Sequence, residues 1–257
     1  PSPGAGVQPR ERRDRGLEVD RGNHPITVEA GVPMARLFAA AAEEGLFFPP
    51  HPGDEGAMAG GVVATNAGGS RAVKYGTIRR FLAGLRVVLA DGTTLDLGGK
   101  LQKSSTGYHL MDLMVGSEGT LGVITRVTFS LLAKPGCLRT LVVPFDTVDA
   151  ATAAVAGLLD RGVTPCAAEF VERAATRCAE RLVGKSWPAK AGSASLMFIL
   201  DGPDEDTVMA DAARVADVME AHAALDVLVA DGEARQAEIL EIRSMLYEAL
   251  IPSQAPG

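Results

Sequence analysis

Apolar residues recur at i, i+3, i+4 and i+7 over Met34, Leu37, Phe38 and Ala41, the spacing of one helical face, with Pro33 placed for a start and Gly45 for a stop. Upstream, residues 17–20 and 26–30 alternate with the two-residue period of short strands around the turn residues Gly22 and Asn23. Residues 85–90 and 94–97 flank Asp91-Gly92, a pair that tolerates the positive φ of a tight turn and so predicts a hairpin. The β-branched run Val123, Ile124, Thr125, Val127 and Thr128 predicts a further strand over 122–132. Ala133-Lys134-Pro135-Gly136 then breaks the pattern and is read as a domain boundary.

Beyond it strands and helices alternate. Strands are predicted over 138–144, 166–171, 195–200 and 225–230, and helices over 148–161, 172–183, 206–221 and 232–250. The last helix takes Asp231 as its N-cap and carries an apolar stripe of Ile239, Ile242, Leu246 and Ala249. Helices with one apolar face each predict packing on one side of a mainly antiparallel sheet, an α+β unit. The expected organisation is a disordered lead-in over 1–16, a first domain over 17–135 and a second over 136–257.

One segment breaks these periodicities. Residues 52–69 read PGDEGAMAGGVVATNAGG, six glycines in eighteen residues with no aromatic residue and no Lys or Arg. Glycine at this density costs backbone entropy and points to positive φ or to close approach of the backbone to something else. The interleaved Met58, Val62, Val63 and Ala64 argue against a flexible linker. Two readings stand: an ordered loop whose amides face an anionic ligand, or a tightly turned structural loop. Neither Gly-x-Gly-x-x-Gly after a strand nor Gly-x-x-x-x-Gly-Lys-Ser/Thr is present. A second glycine-punctuated turn, Gly116-Ser117-Glu118-Gly119-Thr120-Leu121-Gly122, enters the strand at Val123 and is read either as presenting backbone amides and carbonyls or as a bulged hairpin corner.

Composition narrows the classes. The net charge of −7 comes without any basic block, which disfavours nucleic acid as a partner because phosphate contacts need clustered Lys and Arg. Three widely spaced cysteines, Cys137, Cys166 and Cys178, exclude a disulfide scaffold and suit a reducing compartment, hence the cytoplasm. No apolar run reaches the ~20 residues of a membrane-spanning helix, so no membrane insertion is expected. The four histidines, His24, His51, His109 and His222, lack ligand spacing, so no metal site is expected.

Taken together and in order, the motifs resemble the FAD-linked oxidase family, whose cofactor domain is of the vanillyl-alcohol oxidase and p-cresol methylhydroxylase type. The residues that carry the resemblance begin with Gly45-Leu46-Phe47-Phe48-Pro49-Pro50, Pro52-Gly53, Gly60-Gly61 and Ala64-Thr65-Asn66-Ala67-Gly68-Gly69. They continue through Arg71-Ala72-Val73-Lys74-Tyr75-Gly76, Val88-Leu89-Ala90-Asp91-Gly92, Lys103-x-x-x-Gly107-Tyr108 and Gly116-Ser117-Glu118-Gly119-Thr120-Leu121-Gly122. The resemblance implies a partial FAD-binding domain followed by an α+β cap domain whose antiparallel sheet is covered by helices. It also implies oxidation of a D-2-hydroxy acid of the glycolate, D-lactate or D-2-hydroxyglutarate type by hydride transfer to the flavin. Pro52, Gly53, Gly60, Gly61, Thr65, Asn66, Gly68 and Gly69 would contact the pyrophosphate and flavin, and Glu118, Gly119 and Ile124 the adenosine end. An electron-acceptor protein or a quinone is the implied partner.

Three departures qualify the resemblance. Gly107-Tyr108-His109 stands where the family has Gly-Tyr-Asp, so no role passes to His109. Family cofactor domains begin with an upstream glycine-rich pyrophosphate turn, and at the other end relatives continue into a histidine-rich metal motif and a histidine near the flavin; neither is present, so a fragment of an enzyme is expected, inactive or impaired alone. The catalytic base is therefore not assigned, and His51 is read as loop packing rather than a covalent flavin anchor. Arg243, in Leu240-x-x-Arg243-x-x-x-x-Glu248-Ala249-Leu250, is the substrate candidate. It is read either as a guanidinium forked onto a carboxylate or as a stem laid over apolar neighbours. Glu169, in Ala167-Ala168-Glu169-Phe170, matches a recurring cap motif and is read as orienting its neighbours. The rival functions are a sugar or alditol oxidase, an alkyl-glycerone-phosphate synthase, and a non-catalytic flavin-binding remnant or interaction module.

Overall fold

The computed structural model describes residues 12–14, 16–20, 22–100, 105, 107–230 and 232–251. The chain divides into two compact units, Pro1–Lys134 and Pro135–Gly257. In the first, β1 (Arg12–Asp14), β2 (Leu17–Val19) and β3 (Pro25–Glu29) lead into α1 (Met34–Glu43), and β4 (Leu46–Phe47) follows. Next come α2 (Ala59–Ala64), α3 (Ala72–Tyr75), the hairpin of β5 (Leu82–Val88) and β6 (Thr94–Gly98), α4 (Leu110–Met114), β7 (Val123–Ser130) and β8 (Leu132–Ala133). Six strands form an antiparallel sheet in the order β1-β2-β3-β7-β5-β6, and β4 pairs with β8. Register follows the alternation in the sequence. Ile26, Val28, Val127 and Phe129 face the core with Met34 and Leu37 of α1, and Thr27 and Thr128 share the opposite face through their hydroxyls, 3.0 Å apart.

The glycine-rich segment is not a loop throughout. Residues 59–64 form a helical turn in spite of two glycines, because Ala59, Val62 and Val63 are buried against β3 and β7. Burial of an apolar turn outweighs the ~1 kcal/mol that each glycine costs a helix.

The second unit comprises β9 (Cys137–Phe145), α5 (Val148–Asp160), β10 (Ala167–Glu172), α6 (Arg173–Val183), β11 (Ala194–Gly202), α7 (Glu205–Ala221), β12 (Leu228–Val229), α8 (Gly232–Ser244) and α9 (Leu246–Leu250). Its sheet is antiparallel throughout, in the order β10-β11-β9-β12. Thr147 and Asp204 cap α5 and α7 through side-chain oxygens that accept from Ala150 and Thr207. The expected N-cap Asp231 lies outside the described residues.

Two expectations are corrected here. Helices cover both faces of this sheet, not one. Leu141, Val143, Phe145, Leu196, Phe198 and Leu200 pack on α5 and α7. On the other face Thr140, Val142, Met197 and Ile199 are buried, and Thr140 and Glu169 bond to Gln236 and Arg243 of α8. The near-continuous apolar run Leu196-Met197-Phe198-Ile199-Leu200 is the signature of a strand covered twice. The final helix is also interrupted at Met245, where α8 gives way to α9. Among the described residues no helix is long and apolar enough to cross a membrane.

Candidate functional site

The nominated residues of the first unit converge around α2. Its first two amides are consumed by the protein itself: Ala59 donates to the Val32 carbonyl at 2.9 Å and Gly60 to Ala30 at 2.8 Å. An α-helix leaves its first amides without partners, and here the turn that follows β3 satisfies two of them. Gly60 has a packing reason as well, since a Cβ there would stand 2.7 Å from the Ala30 Cβ. Gly69 has a stronger one. Its φ is +142°, and a Cβ would fall 1.9 Å from the carbonyl oxygen of His51, which holds the buried Pro52 backbone against the Gly68-Gly69 doublet.

Other glycines are not required by close packing among the described residues. Gly61 lies exposed on α2 with ordinary helical φ, and a Cβ built on it or on Gly53 meets nothing within 4 Å. A Cβ on Gly68 would make only ordinary contacts, with Thr77 at 3.8 Å and Ala72 at 3.9 Å, and at Gly119 a φ of +76° calls for glycine while nothing lies within 4 Å of the Cβ position. The amides of Gly61, Gly68 and Gly69 have no hydrogen-bond partner among the described residues. The segment therefore has two sides, one locked by close packing and one lined by bare backbone with free donors. Bare backbone with free N–H groups is what an anionic, extended ligand such as a dinucleotide needs in the absence of basic side chains.

Thr65 and Asn66 close the helix. The Thr65 hydroxyl donates back to the Gly61 carbonyl at 3.0 Å, so its lone pairs, and not its proton, are what it offers outward. Asn66 has φ +48°, an uncommon conformation that Asn tolerates better than most residues. Its Oδ1 accepts the backbone N–H of Arg79 at 3.2 Å. The second glycine turn docks on the same spot. Gly116 donates to the Val63 carbonyl (3.1 Å) and Glu118, at φ +52°, to Ala64 (2.9 Å). The two motifs, about fifty residues apart in the chain, thus form one surface. Ile124 is half-buried opposite Val87 in the ladder that leaves this turn.

Two cations that the sequence reading did not place in this role sit at the segment's margins. Arg71 lies over the Phe47 ring at 4.9 Å, and its charge, second to burial, lowers the His51 pKa from its ordinary value. Arg79 holds two carbonyls of the 112–115 turn. No spacing rule reveals either, because each depends on which segments fold together. His51 stacks on Phe38 (centroids 5.0 Å, 8°) and reaches Glu55 at 3.1 Å, which accounts for it by packing. Two clefts, of about 290 and 240 Å³, lie on the polar face of the six-stranded sheet around Glu18, Thr27 and Arg126 and include none of the nominated residues.

Arg243 belongs to the second unit, where Glu169 meets it. Its Nε donates to Glu169 Oε2 at 2.5 Å, while Oε1 of Glu169 is buried without a hydrogen-bond partner among the described residues. The guanidinium is held by its inner edge, and its two Nη groups have no other partner among the described residues. A fork fixed in this way suits planar recognition of a carboxylate.

Comparison with known proteins gives two family matches. Residues 10–98 match the FAD binding domain, and residues 134–256 match the FAD-linked oxidases, C-terminal domain. The Gly116–Ile124 region lies between the two matched ranges. A D-lactate dehydrogenase of Archaeoglobus fulgidus is 42% identical over 234 residues, 91% of this chain and 51% of that protein. The glycolate oxidase subunit GlcD of Bacillus subtilis is 35% identical over 235 residues, 91% of this chain and 50% of the relative. The chain spans about half the length of the curated relatives it matches. Among solved structures, an alkyldihydroxyacetonephosphate synthase aligns with a TM-score of 0.68 at 22% identity, over 90% of this chain and 44% of that one, a likeness of fold.

Proposed function

Because the chain belongs to the FAD-linked oxidase family, we propose that it forms part of a flavin-dependent oxidoreductase acting on a small 2-hydroxy acid of the D-lactate or glycolate type. The single observation that carries the reading is the two-sided glycine segment, whose open side is bare backbone at Gly53 and Gly61, with amides at Gly61, Gly68 and Gly69 that have no hydrogen-bond partner among the described residues. These residues, with Pro52, Gly60, Thr65 and Asn66, would hold FAD along its pyrophosphate and ring, and Glu118, Gly119 and Ile124 would meet its adenosine end. Bound FAD supplies the hydride acceptor. The protein's own part is to bind and orient: backbone donors fix the cofactor, and Arg243, held at Nε by Glu169, offers its Nη edge to the substrate carboxylate. No residue of this chain is assigned as the base. An electron-accepting protein or a quinone would reoxidise the enzyme, and the acidic charge and cysteine usage suit the cytoplasm.

Replacement of Arg243 tests the substrate half. In the full-length FAD-loaded enzyme Arg243→Ala is expected to raise KM for D-lactate, glycolate and D-2-hydroxyglutarate at least about tenfold, equivalent to ~1.4 kcal/mol, with kcat less affected. Unchanged KM for all three acids would remove the carboxylate assignment.

A further inference from the structure

We propose that Arg79 is a positioning residue for the cofactor surface, registering Asn66 and the Gly116–Gly119 turn against one another; this rests on the reading of the glycine segment as an FAD cradle. Arg79 lies in the 3₁₀ turn Ile78–Phe81, itself tied to the segment by the Ile78 amide, which donates to the Ala67 carbonyl at 3.1 Å. From this point Arg79 reaches in two directions.

Its main chain acts on Asn66. A backbone N–H is accepted only by an oxygen of the carboxamide, so the bond from Arg79 N to Oδ1 fixes which way the amide points. The NH₂ group is thereby left as a donor without a partner among the described residues. The side chain of Arg79 acts on the second motif. Nη1 donates to the Asp112 carbonyl at 2.7 Å and Nη2 to the Val115 carbonyl at 2.9 Å. Both are carbonyls at the C-terminal end of α4, which the helix itself leaves without partners. The next residue, Gly116, turns at φ +78° and starts the run whose amides dock on Val63 and Ala64. A Cβ added at Gly116 would lie 3.4 Å from the Asn66 Cβ and 3.9 Å from Nη2 of Arg79, so the three residues are close neighbours.

The fork geometry is what the arrangement uses. One planar group spans two carbonyls three residues apart, which the single ammonium of lysine does not do. The ion pair from Nη1 to Asp112 Oδ1 at 3.2 Å is exposed and contributes little beside those bonds. Arg79 touches no nominated contact through a reacting atom. Its effect is transmitted through the geometry of Asn66 and of the 116–119 amides.

The test uses the full chain and two readouts. In the apo protein, hydrogen exchange of the Gly116 and Glu118 amides is expected to accelerate about tenfold or more in Arg79→Ala, and that in Arg79→Lys to fall between the two. In the FAD titration, followed by flavin fluorescence, Arg79→Ala is expected to raise Kd about tenfold or more and, at saturating FAD, to alter the visible circular dichroism of the bound flavin. A purely structural role would lower the melting temperature and leave that spectrum intact, which would overturn the proposal. So would unchanged exchange at both amides, or full recovery of affinity in Arg79→Lys. Asn66→Asp keeps the acceptor for Arg79 and removes the amide donor. If it and Arg79→Ala both leave FAD binding unchanged while exchange accelerates, the cradle reading has failed, and the positioning role toward FAD fails with it. If Asn66→Asp weakens binding and Arg79→Ala does not, only the inference about Arg79 has failed.

Discussion

Gly61→Ala separates a structural glycine from a ligand-facing one. Gly61 is the third residue of a six-residue helix, exposed, with ordinary helical φ, and a Cβ there meets nothing within 4 Å. Alanine therefore clashes with nothing in the protein and gains about 0.5–1 kcal/mol of helix propensity. For a unit of this size that is an increase of about 2–5 °C in the apo melting temperature. The cofactor should respond in the opposite sense. If the backbone of FAD passes over Gly61, the added methyl overpacks the contact by about 1–3 kcal/mol, which is roughly a 5- to 150-fold rise in Kd. Calorimetry of the apo protein and a flavin fluorescence titration measure the two effects on the same samples. A variant that melts higher and binds FAD with unchanged Kd would show that Gly61 does not face the cofactor. A variant that melts lower would refute the reading of open space around it.

Two further outcomes follow from the same geometry. Gly69→Ala should destabilise the protein by about 2–5 kcal/mol in urea unfolding, because both the φ of +142° and a Cβ 1.9 Å from a backbone oxygen must be relieved by moving main chain; a loss under about 1 kcal/mol would contradict the packing described. His51 is held below its ordinary value of 6.5, by burial first and the Arg71 charge second, with Glu55 opposing. The native state then binds fewer protons than the unfolded one below pH 6.5, so the His51 contribution is intact above that pH and is lost as pH falls through the depressed native value. Between about pH 7.5 and 5, wild type should lose more stability than His51→Phe, which keeps the ring on Phe38 without the titration; parallel pH profiles would refute the assignment.

Much of this was legible beforehand where the governing forces are local. The stripe Met34, Leu37 and Ala41 produced α1 with Pro33 and Gly45 at its ends, and Asp91-Gly92 produced the turn joining β5 to β6. The site was legible as a set of residues but not as an arrangement. Glycine density says that backbone comes close to something, and it is silent on what. Arg79 escaped notice because its neighbours are the carbonyl groups of residues 112 and 115, which have no signature in side-chain identity. The doubly covered sheet of the second unit was misjudged because helical stripes report that a helix packs, not on which face of the sheet.

By itself, then, the sequence determined the elements, the family resemblance and the two glycine motifs, since periodicity, turn chemistry and motif order are properties of neighbouring residues. Tertiary structure alone decided which glycines are locked by packing, at 60 and 69, and which lie open, at 53 and 61. It likewise decided that Glu169 holds Arg243 and that Gly116 and Glu118 dock on α2. The physical reason is common to all of these. Whether a backbone donor is satisfied, or a missing Cβ is required, depends on atoms brought close by folding from distant parts of the chain.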